Sequence, residues 1–177
     1  SAEKAIYAVG NGSAAHKFTA ISDKLENAWE RIESLSKQDG AIRGVPTGFS
    51  DIDTLLSGLQ KSDLVIIAAR PSLGKTTLAL DIGRNAAIAH KIPVGIFSLE
   101  MSKDQLVDRL LSSQSGVNLW NIRTGRLKTT DFDKIQTAFG QLASIPLYID
   151  DANSSTVTQI RAMSRRLQSE HGLGLVI

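Results

Sequence analysis

The sequence predicts an α/β protein built on a mostly parallel sheet, and three observations carry that prediction. From Asp63 onward, short apolar runs bounded by turn residues alternate with longer segments of helical period, the pattern of strands joined by crossover helices that cover both faces of a sheet. One of these runs passes directly into a glycine-containing loop and then a helix. Twice, a Ser or Thr stands three residues ahead of a Gln at a helix start, the reciprocal capping arrangement that fixes where a helix begins. With 177 residues, 42% of them hydrophobic, the chain is long enough for one domain with a core and short for two, so one domain plus an appendage is expected.

Taken in order, residues 1–17 carry Gly10-Asn11-Gly12-Ser13 and no strand alternation, and read as linker. Phe18, Ile21, Leu25, Trp29, Ile32 and Leu35 recur at steps of three and four, with Ser22 or Asp23 as N-cap and Gly40 beyond the end. This spacing predicts one amphipathic helix. Its single apolar stripe suits packing on its own domain or docking on a neighbouring chain, and pattern does not separate the two. The boundaries expected are an interdomain linker over 1–40 and the domain itself over 41–177. Within the domain, Leu64–Ala69 reads as a buried strand. A helix follows with Leu78, Ile82 and Ala86 inward, ending near His90, and Val94–Ser98 is the next strand. Ser102 with Gln105 caps a helix carrying Leu106, Val107, Leu110 and Leu111, closed by Gly116. A further helix over 131–143 places Phe132, Ile135, Phe139 and Leu142 on one face, and Leu147–Asp150 returns as a strand. Thr156 with Gln159 opens a helix through Ile160, Met163 and Leu167 that stops before Gly172, and Leu173–Ile177 is the last apolar run.

Composition excludes several functions. There is no cysteine, so neither a disulfide framework nor a Cys-based zinc site can form, and His16, His90 and His171 have no metal-ligand spacing. The longest strictly apolar run, Leu64–Ala69, is far short of the roughly 20 residues a membrane helix needs, and Ser1–Gly10 does not read as a signal peptide. A cytoplasmic protein with no membrane partner is expected. The net charge of +2 is too small to argue for nucleic acid by itself.

The informative segment is Ala69-Arg70-Pro71-Ser72-Leu73-Gly74-Lys75-Thr76, between the first buried run and the first long helix. A compact loop there turns successive backbone N–H groups inward as an anion nest, and the helix behind it adds its dipole. Lys75 then reaches the β- and γ-phosphates as a mobile point charge, and the Thr76 hydroxyl completes the coordination of Mg²⁺. The nucleotide-binding candidates are Arg70, Pro71, Ser72, Leu73, Gly74, Lys75, Thr76 and Thr77, with Thr76 the metal candidate. ATP and Mg²⁺ are the expected ligands. Ala69 departs from the general phosphate-loop pattern, which has its first Gly there.

Upstream, Gly44-Val45-Pro46-Thr47-Gly48-Phe49 leads through Asp51, Asp53, Leu55 and Leu56 to Gly58-Leu59-Gln60. With the loop, this resembles the DnaB family of replicative helicases, in which Ala is also found at the position of Ala69. Phe97-Ser98-Leu99-Glu100-Met101 looks like that family's segment carrying the glutamate that activates water, and Arg123-Thr124-Gly125 resembles a recurring turn. The resemblance runs from about residue 2 to the end. It implies a RecA-like ATPase fold, a homo-oligomer in the form of a hexameric ring, nucleotide bound between subunits, translocation on single-stranded DNA, and primase and helicase loader as further partners. Glu100 and Lys75 are then the catalytic candidates. Glu100 also follows a buried strand, at the sheet edge where α/β proteins place ligands, and a carboxylate there can orient water; the plainer alternative is a solvated Glu ahead of the Ser102 cap.

Other residues invite weaker expectations. Asp150 and Asp151 end a strand at the same edge, where they either hold Mg²⁺ through water or are simply a solvated strand end. Arg161, Arg165 and Arg166 gather on one side of their helix as a phosphate patch or a solubilising face. Trp120 is expected to pack rather than to stack on a base. The resemblance also implies that Leu173–Ile177 leads toward a magnesium-binding aspartate, that the DNA-channel loops and an arginine reaching the neighbour's nucleotide come later, and that a central strand comes later too. The expectation is therefore a RecA-like domain truncated before its later strands. The rival readings keep the fold: a small-molecule kinase, a recombination or clock ATPase, or a nucleotide-binding or oligomerisation module without helicase activity.

Overall fold

The computed structural model describes residues 19–36, 42–152 and 155–177. The linker motif at 10–13, together with Phe18, Gly40 and the side chain of Leu35, lies outside the described residues. Two units divide at residues 41 and 42.

Among the described residues of the first unit, helix α1 (Ser22–Ser36) follows the three-and-four spacing. Leu25, Trp29 and Ile32 are exposed on it, Trp29 at 70%, and Ile21 is exposed just ahead of it.

The second unit holds α2 (Ser50–Leu56), α3 (Lys75–His90), β1 (Val94–Phe97), α4 (Lys103–Ser115), α5 (Leu119–Thr124), α6 (Thr129–Ala143), β2 (Leu147–Asp150), α7 (Val157–His171) and β3 (Leu175–Val176). The three strands form a parallel sheet in the order β2-β1-β3. Val94 faces Leu147 on one side and Leu175 on the other, and Phe97 faces Asp150. β1 is the central strand and the most buried, which is why its sequence is apolar without alternation. Its Val94 and Ile96 join Leu80, Ala86 and Ala87 of α3 and Leu106 and Leu110 of α4 in the core. Gly95 points the other way, where a Cβ would meet Leu167 of α7. Thus α3 and α4 cover one face and α7 the other.

The helix boundaries follow local chemistry. Ser102 Oγ accepts the Gln105 N–H while the Gln105 side chain accepts the Ser102 N–H, and Thr156 and Gln159 repeat the arrangement at α7. Gly116 and Gly172 end these helices in the left-handed conformation. At α6, Asp131 Oδ2 accepts the Lys128 N–H at 3.0 Å, so the helix begins two residues before the sequence pattern placed it.

Gly44 to Gln60 forms the entry to the domain. Val45 and Leu59 exchange two backbone hydrogen bonds of 2.8 Å as an isolated antiparallel bridge, and a Cβ on Gly44 would collide with the Leu59 carbonyl. Asp53 is buried. Its two carboxylate oxygens accept the N–H groups of Thr47 and Gly48 at 2.8 and 3.1 Å. Asn85 on α3 donates to the Thr47 carbonyl at 3.1 Å, so the entry loop is tied to the phosphate-loop helix.

Three expectations need correction. Leu64–Ala69 is not a strand, and Leu64 and Ile66 are 86% and 79% exposed. A strand is held by hydrogen bonds to a neighbouring strand, and no described strand lies beside this segment. Instead a cavity of about 860 Å³ separates it from β3, lined by Val65, Ile67, Ile82, Ile92, Leu175 and Ile177 among others. Hydropathy marked the segment as buried, but burial needs a partner as well as apolar side chains. On α6, Phe132 and Phe139 are exposed at 59% and 64%; α6 packs through Ala138 and Leu142 instead. Trp120 is likewise exposed at 54%, with the Arg126 guanidinium 4.7 Å above its ring. Among the described residues no helix is long and apolar enough to cross a membrane.

Candidate functional site

The phosphate-loop candidates sit where an irregular segment turns into α3. Ser72 and Gly74 both have positive φ, 65° and 85°, with Leu73 between them outside that region. Such alternation points successive N–H groups to one side as an anion-binding nest. The Leu73 N–H closes the turn onto the Arg70 carbonyl at 3.3 Å. Gly74 is the N-cap of α3, and no side chain caps it, so the first N–H groups of the helix stay open to a ligand. The bend at Gly74 is conformational in origin: a Cβ there would meet nothing within 4 Å, but φ +85° disfavours any other residue.

Arg70, Pro71, Ser72, Leu73 and Lys75 are exposed, Thr76 is half-buried and Thr77 exposed. Lys75 forms no ion pair among the described residues. The Thr77 hydroxyl accepts a long hydrogen bond of 3.4 Å from Arg109 on α4. Deeper along the same pair of helices, Ser113 donates to Asp81 at 2.7 Å and Arg84 pairs with Asp81 at 3.3 Å. The bonds of Arg109 and Ser113 hold α4 against α3, and the Arg84–Asp81 pair lies within α3.

Glu100 stands on the turn between β1 and α4. It is exposed and, like Lys75, has no ion-pair partner among the described residues. Its turn is closed by Ser98, whose Oγ donates to the Met101 carbonyl at 2.7 Å and accepts the Met101 N–H at 3.0 Å. The structure therefore brings Glu100 to the carboxyl edge of the sheet, on an element bonded to the one that carries the loop.

Asp151 is already engaged. Its Oδ2 accepts the Lys103 N–H at 3.0 Å, capping the first turn of α4, and its Oδ1 pairs with Lys103 Nζ at 3.0 Å. The Lys103 backbone N–H first, and its side chain second, hold the Asp151 carboxyl below the ordinary carboxylate value of 3.8. The hydrogen bond to Asp151 in turn holds Lys103 above its ordinary value. This favours the strand-end reading of Asp151 over a metal ligand. Arg161, Arg165 and Arg166 are exposed on α7, on the face of the sheet opposite α3, and Arg166 pairs with Glu170 at 2.7 Å.

The site fits a nucleotide carrying its own cation. The loop offers an uncapped helix start and an unpaired Lys75, and no described residue hydrogen-bonds the Thr76 hydroxyl. Among the described residues no group of three or more His, Asp or Glu could hold a metal ion. The sequence reading missed Ser98 and Arg109. A Ser at the end of a strand, three residues ahead of a half-buried apolar residue, is the one signal that could have exposed the first; nothing local marks the second.

A parallel sheet covered on both faces by crossover helices makes this an α/β protein, and the solved structures it superposes on make it RecA-like. Comparison with known proteins agrees. A solved structure described as the ATPase domain of G40P superposes with a TM-score of 0.80 at 31% identity, covering 90% of this chain and 56% of that one. A DnaB-like replicative helicase solved in a study of its interactions with primase gives a TM-score of 0.79 at 29% identity, over 99% of this chain and 42% of that one. The replicative DNA helicase DnaB of Geobacillus stearothermophilus is 45% identical over 99% of this chain, and the replicative DNA helicase DnaC of Bacillus subtilis is 43% identical over 99%. The chain spans 39% of the length of each of these two relatives. The family described as DnaB-like helicase C terminal domain matches residues 44–177, and the chain belongs to it.

The Asp151–Lys103 pair generates a pH signature. A carboxyl depressed in the folded state contributes stability above its unfolded pKa and loses it as pH falls through the folded one. The gap in melting temperature between wild type and Asp151→Ala should hold steady through neutral pH and close as pH drops below 3.8, the ordinary value. Thermal unfolding of both proteins across pH 2 to 8 measures it, and a gap that persists at the acid end would show that the carboxylate charge contributes nothing.

Proposed function

We propose that this chain is part of the motor of an ATP-driven replicative DNA helicase, a cytoplasmic homo-hexameric ring that binds nucleotide between subunits and moves along single-stranded DNA. The observation that carries the proposal is the uncapped, nest-forming loop that opens α3, with the exposed Glu100 turn leading into α4, the helix bonded to α3 through Arg109 and Thr77. In the reaction, the backbone N–H groups of Ser72–Lys75 hold the phosphates. Lys75 offsets charge building on the γ-phosphoryl oxygens, and Glu100 orients the attacking water. The new bond forms between water oxygen and γ-phosphorus while the bond to the β–γ bridging oxygen breaks. Mg²⁺ held at Thr76 would supply further charge neutralisation. Primase is a proposed partner because a relative was solved in a study of that interaction, and the family resemblance adds a helicase loader.

The exposed stripe of α1 supports the ring. Four large apolar side chains stand free on it. Docked on a neighbouring copy, they would bury several hundred Å² and contribute on the order of 10 kcal/mol before ordering costs, at about 25 cal/mol per Å².

Each part has its own test in the full-length protein. Lys75→Ala should abolish nucleotide binding or turnover, because it removes the unpaired cation at the nest, and wild-type ATPase activity in this variant would remove the site assignment. Glu100→Gln should keep Mg-ATP binding and lose hydrolysis by about 10²-fold or more if Glu100 positions the water; single-turnover rates near wild type would return Glu100 to a solvated residue. Leu25→Asp combined with Trp29→Asp should leave the motor folded and shift hexamers to monomers by light scattering, with ATPase activity falling in step. Hexamers that persist would mean that the stripe packs within its own subunit.

A further inference from the structure

The turn that presents Glu100 is anchored on both sides, although its tip is exposed. On the strand side, Ser98 is 9% exposed, and its N–H donates to the Asp150 carbonyl at 2.8 Å, carrying the β1–β2 ladder one step past Phe97. Its hydroxyl then does two things at once, donating to the Met101 carbonyl at 2.7 Å and accepting the Met101 N–H at 3.0 Å. Met101 itself is half-buried and packs on the core. On the helix side, the Ser102–Gln105 capping box and the carboxylate of Asp151 hold the first turn of α4. Leu99 and Glu100 therefore span the gap between two fixed points, with the Ser98 hydroxyl as the clasp.

We propose that Ser98 is a positioning residue for nucleotide hydrolysis, fixing through the Met101 backbone where the Glu100 carboxylate stands relative to the phosphate loop. The inference rests on the reading of Glu100 as the residue that orients water. A hydroxyl is suited to the task because it donates and accepts from one atom; Ala at this position does neither, and leaves two backbone groups of Met101 to find other partners. A turn that re-pairs displaces its tip, and displacement of a reacting group by about 1 Å can cost on the order of 10²-fold in rate. The loop at Ser72–Thr76 belongs to a different element and shares no hydrogen bond with Ser98, so nucleotide binding should be spared.

The experiment is a double-mutant cycle in the full-length helicase, with wild type, Ser98→Ala, Glu100→Gln and the combination. Mg-ATP binding is followed by titration with a fluorescent ATP analogue, and hydrolysis by single-turnover rates. The expected result for Ser98→Ala is a hydrolysis rate lower by about 10- to 100-fold with nucleotide Kd changed by less than about threefold, and no further loss when the change is added to Glu100→Gln. A role in fold stability alone would lower rate and binding together, or would multiply the Glu100→Gln defect; either outcome, or an unchanged rate, overturns the proposal. If Ser98→Ala does not fold, Ser98→Cys, close in size but a weak donor and acceptor, enters the same cycle with the same criteria. Wild-type hydrolysis by Glu100→Gln alone is a separate result, which removes the role of Glu100 and the proposal with it; a slowed but measurable Glu100→Gln with additive losses removes only the proposal.

Discussion

β1 is hydrogen-bonded on both edges, and the remainder of the domain is organised around that fact. A backbone buried among apolar side chains is tolerated only where its N–H and C=O groups are paired, and among the described strands β1 alone has partners on both sides. Because it is paired and covered on both faces, its carboxyl end is a fixed point. The Glu100 turn departs from that end, α3 packs across its Val94 and Ile96, and the Asp150–Asp151 corner of β2 is held beside it through Ser98 and Lys103. The exposed turn at Glu100 and the exposed loop at Ser72–Gly74 have little packing of their own, and β1 and α3 are what fix them.

Charge shows how the fold and the site divide. Asp151, Asp81, Asp108 and Glu170 each have a cation within 4 Å; the pairs of Asp151 and Asp108 join different elements, and those of Asp81 and Glu170 lie within one helix. Asp53 is paired with backbone N–H groups instead. Lys75 and Glu100 have neither kind of partner among the described residues. An exposed charge without a partner keeps its interaction energy for whatever binds next to it, and these two lie on adjacent elements.

Much of this was legible in the sequence because it depends on neighbours a few residues apart. The capping boxes at Ser102 and Thr156, the glycines that end α4 and α7, and the loop from Arg70 to Thr76 are local devices, and the structure has each where the spacing put it. Legibility stopped where the deciding partner is distant. Leu64–Ala69 has the composition of a strand but no strand beside it. Phe132 and Phe139 follow a helical stripe, yet α6 meets the core through the smaller Ala138. The seven-residue α2 and six-residue α5 are too short for periodicity to register, and Asp53 looks like a surface acid until Thr47 and Gly48 fold back onto it. Of the candidate site, the loop and Glu100 are readings of local sequence, whereas the bonds of Ser98 and Asp151 cross the sheet edge, where no local pattern reports them.

The cation–π contact of Arg126 over Trp120 has an optical consequence. The chain has two tryptophans, and they fall in different units: Trp29 on α1, and Trp120 on α5 among the helices between β1 and β2. Both indoles are largely solvent-facing, and Trp120 lies beneath the Arg126 guanidinium, at 4.7 Å. Their emission is therefore expected to respond to different neighbours. A blue shift confined to Trp29 would register the stripe losing water, and a change confined to Trp120 would register movement of the short α5 helix, so the molecule carries two intrinsic fluorophores that separate motion of the first unit from motion of the second.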